Sequence, residues 1–137
     1  KAFMLIKEGR NTNRQDNMYF GNEIINIWAQ SIKQRNPDLM ASMYSEDAVL
    51  LATYTPLLEG KMSIREYFID FLNKEELKCT ITNNITQLDY DKDTTISSGL
   101  YTFSFRQYGQ MVSVKARYTF AVNRNKIITH HSSVEPE

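Results

Sequence analysis

The chain's two histidines stand side by side in the run Lys126-Ile127-Ile128-Thr129-His130-His131-Ser132-Ser133. One segment earlier, Arg117 lies in the largely uncharged run Ala116-Arg117-Tyr118-Thr119-Phe120-Ala121-Val122. An imidazole titrates near neutrality and can act as a general acid or base. A guanidinium is always charged and offers a planar fork of donors that suits a carboxylate. If buried, Arg117 needs a partner, either a ligand anion or an internal carboxylate such as Asp47 or Glu59. Neighbouring residues of a strand point to opposite faces, so His130 and His131 cannot readily share one metal ion. No cluster of cysteines and histidines accompanies them, so no metal site is expected. No nucleophile elbow surrounds Ser132, so it makes no convincing hydrolase pair with His130. Glycine-rich phosphate loops are missing from the sequence, and no cofactor is expected. A functional site is expected in this last third of the chain.

The elements that must position these residues follow from periodicity. Both runs are rich in β-branched and aromatic residues, and the polar break Asn123-Arg124-Asn125 makes them a hairpin. Strands are predicted over 78–90, 95–107, 110–122 and 126–134, with turns at Asp91-Lys92-Asp93 and Tyr108-Gly109-Gln110. Four such strands in succession form an antiparallel meander. Ahead of them, Ile24, Ile27, Trp28 and Ile32 repeat at helical spacing from near Phe20. That helix should stop at Asn36, because the residue before Pro37 avoids the α region. Asn36 then caps a short helix opened by Pro37, with Leu39, Met40 and Met43 inward and an end near Tyr44. Ala48-Val49-Leu50-Leu51 reads as a short strand, and Pro56 and Gly60 mark turns. Ser63-x-x-Glu66 matches a capping box, and Ile64, Tyr67, Phe68, Phe71 and Leu72 form one buried stripe. Three helices before such a sheet predict an α+β domain with the helices on one face.

Length and composition bound the class. The 137 residues suffice for one domain. Residues 1–19 lack periodicity and read as a flexible lead-in, leaving 20–137 as the domain. Sixteen basic residues balance sixteen acidic ones, which gives no general electrostatic reason to bind nucleic acid or an anionic membrane. Low net charge also permits self-association. Cys79 is the only cysteine, so no internal disulfide forms, and it reads as a small apolar strand residue. No apolar run approaches the roughly 20 residues of a membrane span. The chain starts at Lys1, which fits a removed signal peptide, a removed tag or a trimmed chain alike, and the compartment stays open. Asn84-Ile85-Thr86 matches a glycosylation sequon.

Alternation sorts the strand residues into faces. Over 95–107, Gly99, Tyr101, Phe103 and Phe105 share one face, and Ile96, Leu100, Thr102, Ser104 and Arg106 the other. Over 110–122, Tyr118, Phe120 and Val122 share a face with Val112, Val114 and Ala116, whereas Arg117 lies opposite with Met111, Ser113, Lys115, Thr119 and Ala121. Two arrangements follow. Helices covering the aromatic face would leave Arg117 in solvent. Helices on one face and a second copy on the other would make Tyr118, Phe120 and Val122 a self-complementary interface. Periodicity does not choose between them.

The chain resembles the NTF2-like superfamily, which includes SnoaL-like and ketosteroid-isomerase-like proteins. Within it, the chain looks most like the association domain of calcium/calmodulin-dependent protein kinase II and its stand-alone bacterial relatives. The residues that carry this are Leu58-Glu59-Gly60-Lys61 before Ile64-Arg65-Glu66-Tyr67-Phe68, Gly99-Leu100-Tyr101-Thr102-Phe103, Ala116-Arg117-Tyr118-Thr119-Phe120 and Ile128-Thr129-His130-His131-Ser132-Ser133, with Pro136 near the end. The resemblance runs from about residue 20 onward. It implies a curved sheet wrapped around a long helix, forming a cone with a pocket, and a homodimer or higher oligomer made through the sheet. It therefore favours the arrangement with both faces covered, with Arg117 in the pocket and Tyr118, Phe120 and Val122 at the dimer interface. Of the basic residues that line the kinase pocket, only Arg117 has a clear counterpart, since Ile64, Thr102 and Ser132 stand at the other positions.

What the resemblance implies for function is a stand-alone protein that binds a small polar or acidic molecule. Arg117 would anchor it, His130, Ser132 and Thr102 would add hydrogen bonds, and Trp28 and Tyr67 would supply apolar walls. Isomerase-like members use a carboxylate base and hydroxyl donors next to a carbonyl. Asp47, Glu59, Tyr54 and Tyr101 are the right types for that, and Asp47 and His130 are the candidate bases. A pure oligomerisation module with a vestigial pocket is the third possibility. Fold does not choose among the three.

Overall fold

The computed structural model of the chain describes residues 23–89 and 93–136. The lead-in over 1–19, the start of the first helix and most of the Asp91-Lys92-Asp93 turn lie outside these described residues. Helix α1 runs through residues 23–31 and tightens into a 3-10 turn, Ile32–Gln34. Arg35 ends it in the left-handed region at φ 57. Its guanidinium donates to the Leu72 carbonyl at 3.1 Å and the Asn73 carbonyl at 3.2 Å, so it satisfies carbonyls left open where the third helix ends. Helix α2, Pro37–Ser42, starts as expected: Asn36 Oδ1 accepts from Leu39 N at 3.1 Å, with proline at the first position. Strand β1, Tyr44–Leu51, is longer than expected. Ile127 N bonds the Met43 carbonyl at 2.8 Å and Tyr44 registers with Ile127, so pairing with the last strand ends the helix before Tyr44.

Strand β2, Leu58–Glu59, pairs antiparallel with β1, and helix α3 follows over Lys61–Phe71. The expected capping box does not form. Ser63 lies inside the helix, and Gly60 precedes it at φ 95 without a side-chain cap. Glu59 pairs with Val49, and Gly60 N donates to Ala48 O at 2.8 Å, so sheet pairing sets where the helix begins. The backbone angle there favours glycine.

The long strands β3 (Glu75–Asp89), β4 (Thr94–Gln107), β5 (Gln110–Asn123) and β6 (Lys126–Val134) lie close to the expected bounds. They make the antiparallel meander, and β1 then adds to its far side parallel to β6, giving the order β2-β1-β6-β5-β4-β3. Register shifts between Ile81 and Asn83 and between Ala121 and Val122 bend the sheet. At the first, an added Cβ on Gly99 would sit 1.9 Å from the Asn83 carbonyl oxygen, so only glycine admits this approach. Beside it the Tyr118 hydroxyl donates to Asn84 Oδ1 at 2.6 Å, and Asn84 Nδ2 donates to Thr86 Oγ1 at 3.1 Å. The sequon side chains are therefore built into the sheet, with Thr86 buried.

The helices pack on the aromatic face of the sheet, which corrects the expected interface. Tyr118, Phe120 and Val122 are 3%, 0% and 2% exposed and belong to the core around Trp28. Pairing of Gly99 with Tyr118 and of Tyr101 with Ala116 makes the aromatic faces of β4 and β5 one surface. The apolar stripes of α1 and α3 need such a surface to bury. Arg117 is exposed on the opposite face, where its Nη2 donates to Ser133 Oγ at 3.3 Å. Thr102 shares that outer face, registered with Thr80 and Lys115. Leaving Arg117 in water avoids burying an unpaired charge.

Candidate functional site

Between the inner face of the sheet and the helices lies a cavity of about 710 Å³. Its deep end is formed by Trp28, Leu50, Phe68, Tyr101 and His130, all nearly or fully buried. Its walls are aromatic: Trp28 stacks on Tyr101 at 5.7 Å between ring centroids, and Tyr67 on Phe71 at 5.5 Å. Phe103, Phe105, Val114 and Ala116 continue the apolar lining along β4 and β5. The mouth is bordered by the segment from Thr53 to Pro56 and by exposed Glu66, Asp70 and Lys74. Lys74 Nζ sits over the Phe105 ring at 5.3 Å and the Phe71 ring at 5.7 Å. The charged groups of the cavity are thus at its entrance.

The polar groups at the deep end form one connected chain. Trp28 Nε1–H donates to the Tyr44 hydroxyl at 3.1 Å. Tyr44 Oη lies 2.8 Å from His130 Nδ1, and Tyr101 Oη lies 3.1 Å from His130 Nε2. The Tyr101 hydroxyl donates to Ser132 Oγ at 2.6 Å. His130 also stacks on Phe120 at 3.9 Å between centroids. Four elements assemble this set: α1 supplies Trp28, β1 supplies Tyr44, β4 supplies Tyr101, and β6, two strands away across β5, supplies His130 and Ser132. Because β6 alternates, His130 and Ser132 both face inward while His131 is exposed on the other side.

Burial dominates the titration of these groups. It lowers the His130 pKa from 6.5 to about 3, with the neighbouring His131 adding to the same direction. His130 is therefore neutral at physiological pH, one nitrogen a donor and the other an acceptor. Burial likewise raises the phenols of Tyr44 and Tyr101 well above their usual range. The Tyr67 hydroxyl is pushed up to about 12 by burial, with the Asp70 charge contributing. Cys79 is pushed up to about 12 by burial, so its thiol is protonated and poorly nucleophilic.

The cavity gathers four of the six residues expected to line it: His130, Ser132, Trp28 and Tyr67. Arg117 and Thr102 lie on the outer face of the sheet instead. Asp47, the carboxylate considered as a base, is exposed on β1, where its Oδ1 accepts from Ser45 Oγ at 3.2 Å. Sequence reasoning did not single out Tyr44, and named Tyr101 only by residue type. Tyr101 had a usable signal, since it alternates in phase with Phe103 and Phe105; Tyr44 had none, standing at the junction of a helix and a strand. Among the described residues, no group of three His, Cys, Asp or Glu side chains could hold a metal ion. No described helix is long and apolar enough to cross a membrane.

The model of the calcium/calmodulin dependent protein kinase II association domain family matches residues 22–136. The chain belongs to this family. A solved structure from Xanthomonas campestris, described as such an association domain, is 33% identical to it. That match covers 82% of this chain and 84% of the other, with a TM-score of 0.75. More distant structures share the fold alone. One, from Streptomyces avermitilis and described as a dehydratase of the NTF2-like family, has a TM-score of 0.80 at 11% identity, covering 90% of this chain and 99% of its own. Another, from Novosphingobium aromaticivorans and described as an aromatic ring hydroxylase, has a TM-score of 0.78 at 20% identity, covering 89% and 91%. No curated protein matches the chain. The association domain seen here thus has the NTF2-like α+β fold, a cone with its cavity on the concave side.

Proposed function

We propose that this association domain binds a small, uncharged, largely apolar organic molecule in its cavity and self-associates through the outer face of its sheet. The observation that carries the ligand reading is the chemistry of the deep end. Aromatic rings enclose it, and its polar groups are hydroxyls and a neutral imidazole. A ligand carboxylate placed there would lose its hydration with no cation to pair with. The acidic ligand expected from Arg117 is accordingly replaced by a neutral one. Cavities of this size and apolar character, with a few convergent polar groups, suit small molecules.

An enzyme doing proton transfer would need a base with a free lone pair facing the ligand. Both nitrogens of His130 are engaged by tyrosines, and Asp47 lies elsewhere. Self-association is supported by family membership. An uncharged band of Ile85, Ile96, Ser98 and Thr119 on the outer face offers the surface, and two of its members, Ile85 and Ile96, are exposed isoleucines.

The test of the ligand reading is a thermal-shift panel of neutral aromatic ketones and alcohols beside carboxylates of matched size. A ligand at one hundred times its dissociation constant adds about 2.7 kcal/mol to the folded state. Neutral compounds should raise the midpoint and the carboxylates should not, with Arg117→Ala behaving as wild type. Stabilisation by carboxylates that Arg117→Ala abolishes would refute the reading. If nothing shifts the midpoint, the oligomerisation module with a vestigial pocket takes its place.

A further inference from the structure

The buried hydrogen-bond chain has a direction, and the direction ends at the ligand. The indole N–H of Trp28 can only donate, so the Tyr44 oxygen accepts from it. Tyr44 is fully buried, and its own proton needs an acceptor. The Nδ1 atom of His130, 2.8 Å away, is the one within reach among the described residues. A neutral imidazole that accepts at Nδ1 carries its proton on Nε2, which then donates to the Tyr101 oxygen at 3.1 Å. Tyr101 passes its single proton to Ser132 Oγ at 2.6 Å. Every donor in the series is used once, and the polarity runs from Trp28 to Ser132. The Ser132 hydroxyl proton is left over. Among the described residues it has no acceptor, and Ser132 lines the cavity.

We infer that Ser132 is the specificity-determining donor of the cavity, and that the molecule bound there presents a neutral carbonyl oxygen to its Oγ–H. This rests on the ligand reading above and names the group the ligand must carry. A carbonyl fits better than an alcohol. An acceptor-only oxygen takes the free proton, whereas a ligand hydroxyl would also need an acceptor. His130 Nδ1 and the Tyr101 oxygen are already accepting, and the lone pair left on Ser132 Oγ sits on the same oxygen that donates, so one ligand hydroxyl cannot use both at once. His130, Tyr44 and Tyr101 act through Ser132 and are positioning residues: they hold its oxygen as an acceptor toward the protein and so turn its proton to the cavity.

The experiment measures the affinities of acetophenone and of α-methylstyrene, its isostere with a methylene in place of the carbonyl oxygen, by ligand-observed NMR on the full chain. The readout is the ratio of the two affinities, which a general loosening of the fold leaves alone. Ser132→Ala should lower the ketone preference about three- to tenfold, the worth of one hydrogen bond, with α-methylstyrene binding unchanged. Ser132→Thr keeps a hydroxyl and should restore the ratio. Tyr101→Phe releases the Ser132 proton from its direction and should also lower the ratio. If both compounds bind and Ser132→Ala leaves the ratio untouched, the donor inference is wrong while the cavity reading stands. If neither binds wild type at any attainable concentration, the cavity reading fails and takes the inference with it.

Discussion

His130 is the residue on which the proposed site turns, and burial keeps it neutral. The unfolded chain takes up a proton near the ordinary pKa of 6.5, whereas burial holds the folded imidazole unprotonated down to about 3. Between those values the unfolded state binds more protons, so stability falls as pH falls. The expected loss approaches about 1.4 kcal/mol per pH unit through that window, and urea unfolding at a series of pH values should record it. In the folded protein the His130 ring signals should not titrate between about pH 8 and 5; a titration there would contradict the assignment. Tyr44→Phe removes the acceptor of Trp28 and the donor to His130 together. Two buried groups are then left unpaired, at about 1–3 kcal/mol each, and chemical denaturation should show the sum as a clear drop in stability. The sequence made the location of His130 legible, because both histidines fall on one strand. It could not show that tyrosines 86 and 29 positions away close on the two nitrogens, since only the folded sheet brings them together.

At the scale of elements, alternation was legible and parity was not. The runs from 95 to 107 and from 110 to 122 divide cleanly into two faces, but a strand pattern does not say which face meets the helices. Because side chains alternate, choosing the other face exchanges every residue of the set. That is how Tyr118, Phe120 and Val122 moved from an expected interface to the core, and Arg117 and Thr102 from an expected pocket to the outer surface. The physical arbiter is the apolar stripe of α3, which requires the aromatic rows, while a charged guanidinium does not follow it inward. The capping box at Ser63 failed for a similar reason: the pairing of β2 with β1 outweighed a local side-chain preference. The bend at Asn83 rests on Gly99, and Gly99→Ala would drive a Cβ into the Asn83 carbonyl. Backbone must move to relieve it, so a loss of at least the 1–3 kcal/mol typical of overpacking is expected. A variant with wild-type stability in urea unfolding would show that the bulge tolerates a side chain.

The whole molecule presents two surfaces for which separate tasks are proposed, an inner cavity and an outer sheet face. If copies associate through the outer face, Ile85→Asp combined with Ile96→Asp should lower the native mass in light scattering while leaving the fold intact. Tyr118→Asp, by contrast, puts a charge into the core and should unfold the domain, because Tyr118 is only 3% exposed. An unchanged mass in the double variant would remove the outer face as the interface. The central claim concerns the cavity, and the most direct measurement is the dissociation constant of acetophenone beside that of benzoate, on wild type and on Val114→Trp. Val114 lines the cavity from a strand position that accepts an aromatic side chain. Acetophenone should bind saturably, benzoate should bind at least about tenfold more weakly because its charge finds no buried cation, and Val114→Trp should lose acetophenone binding without loss of fold. Tighter binding of benzoate, or acetophenone binding that ignores the filled cavity, would contradict it.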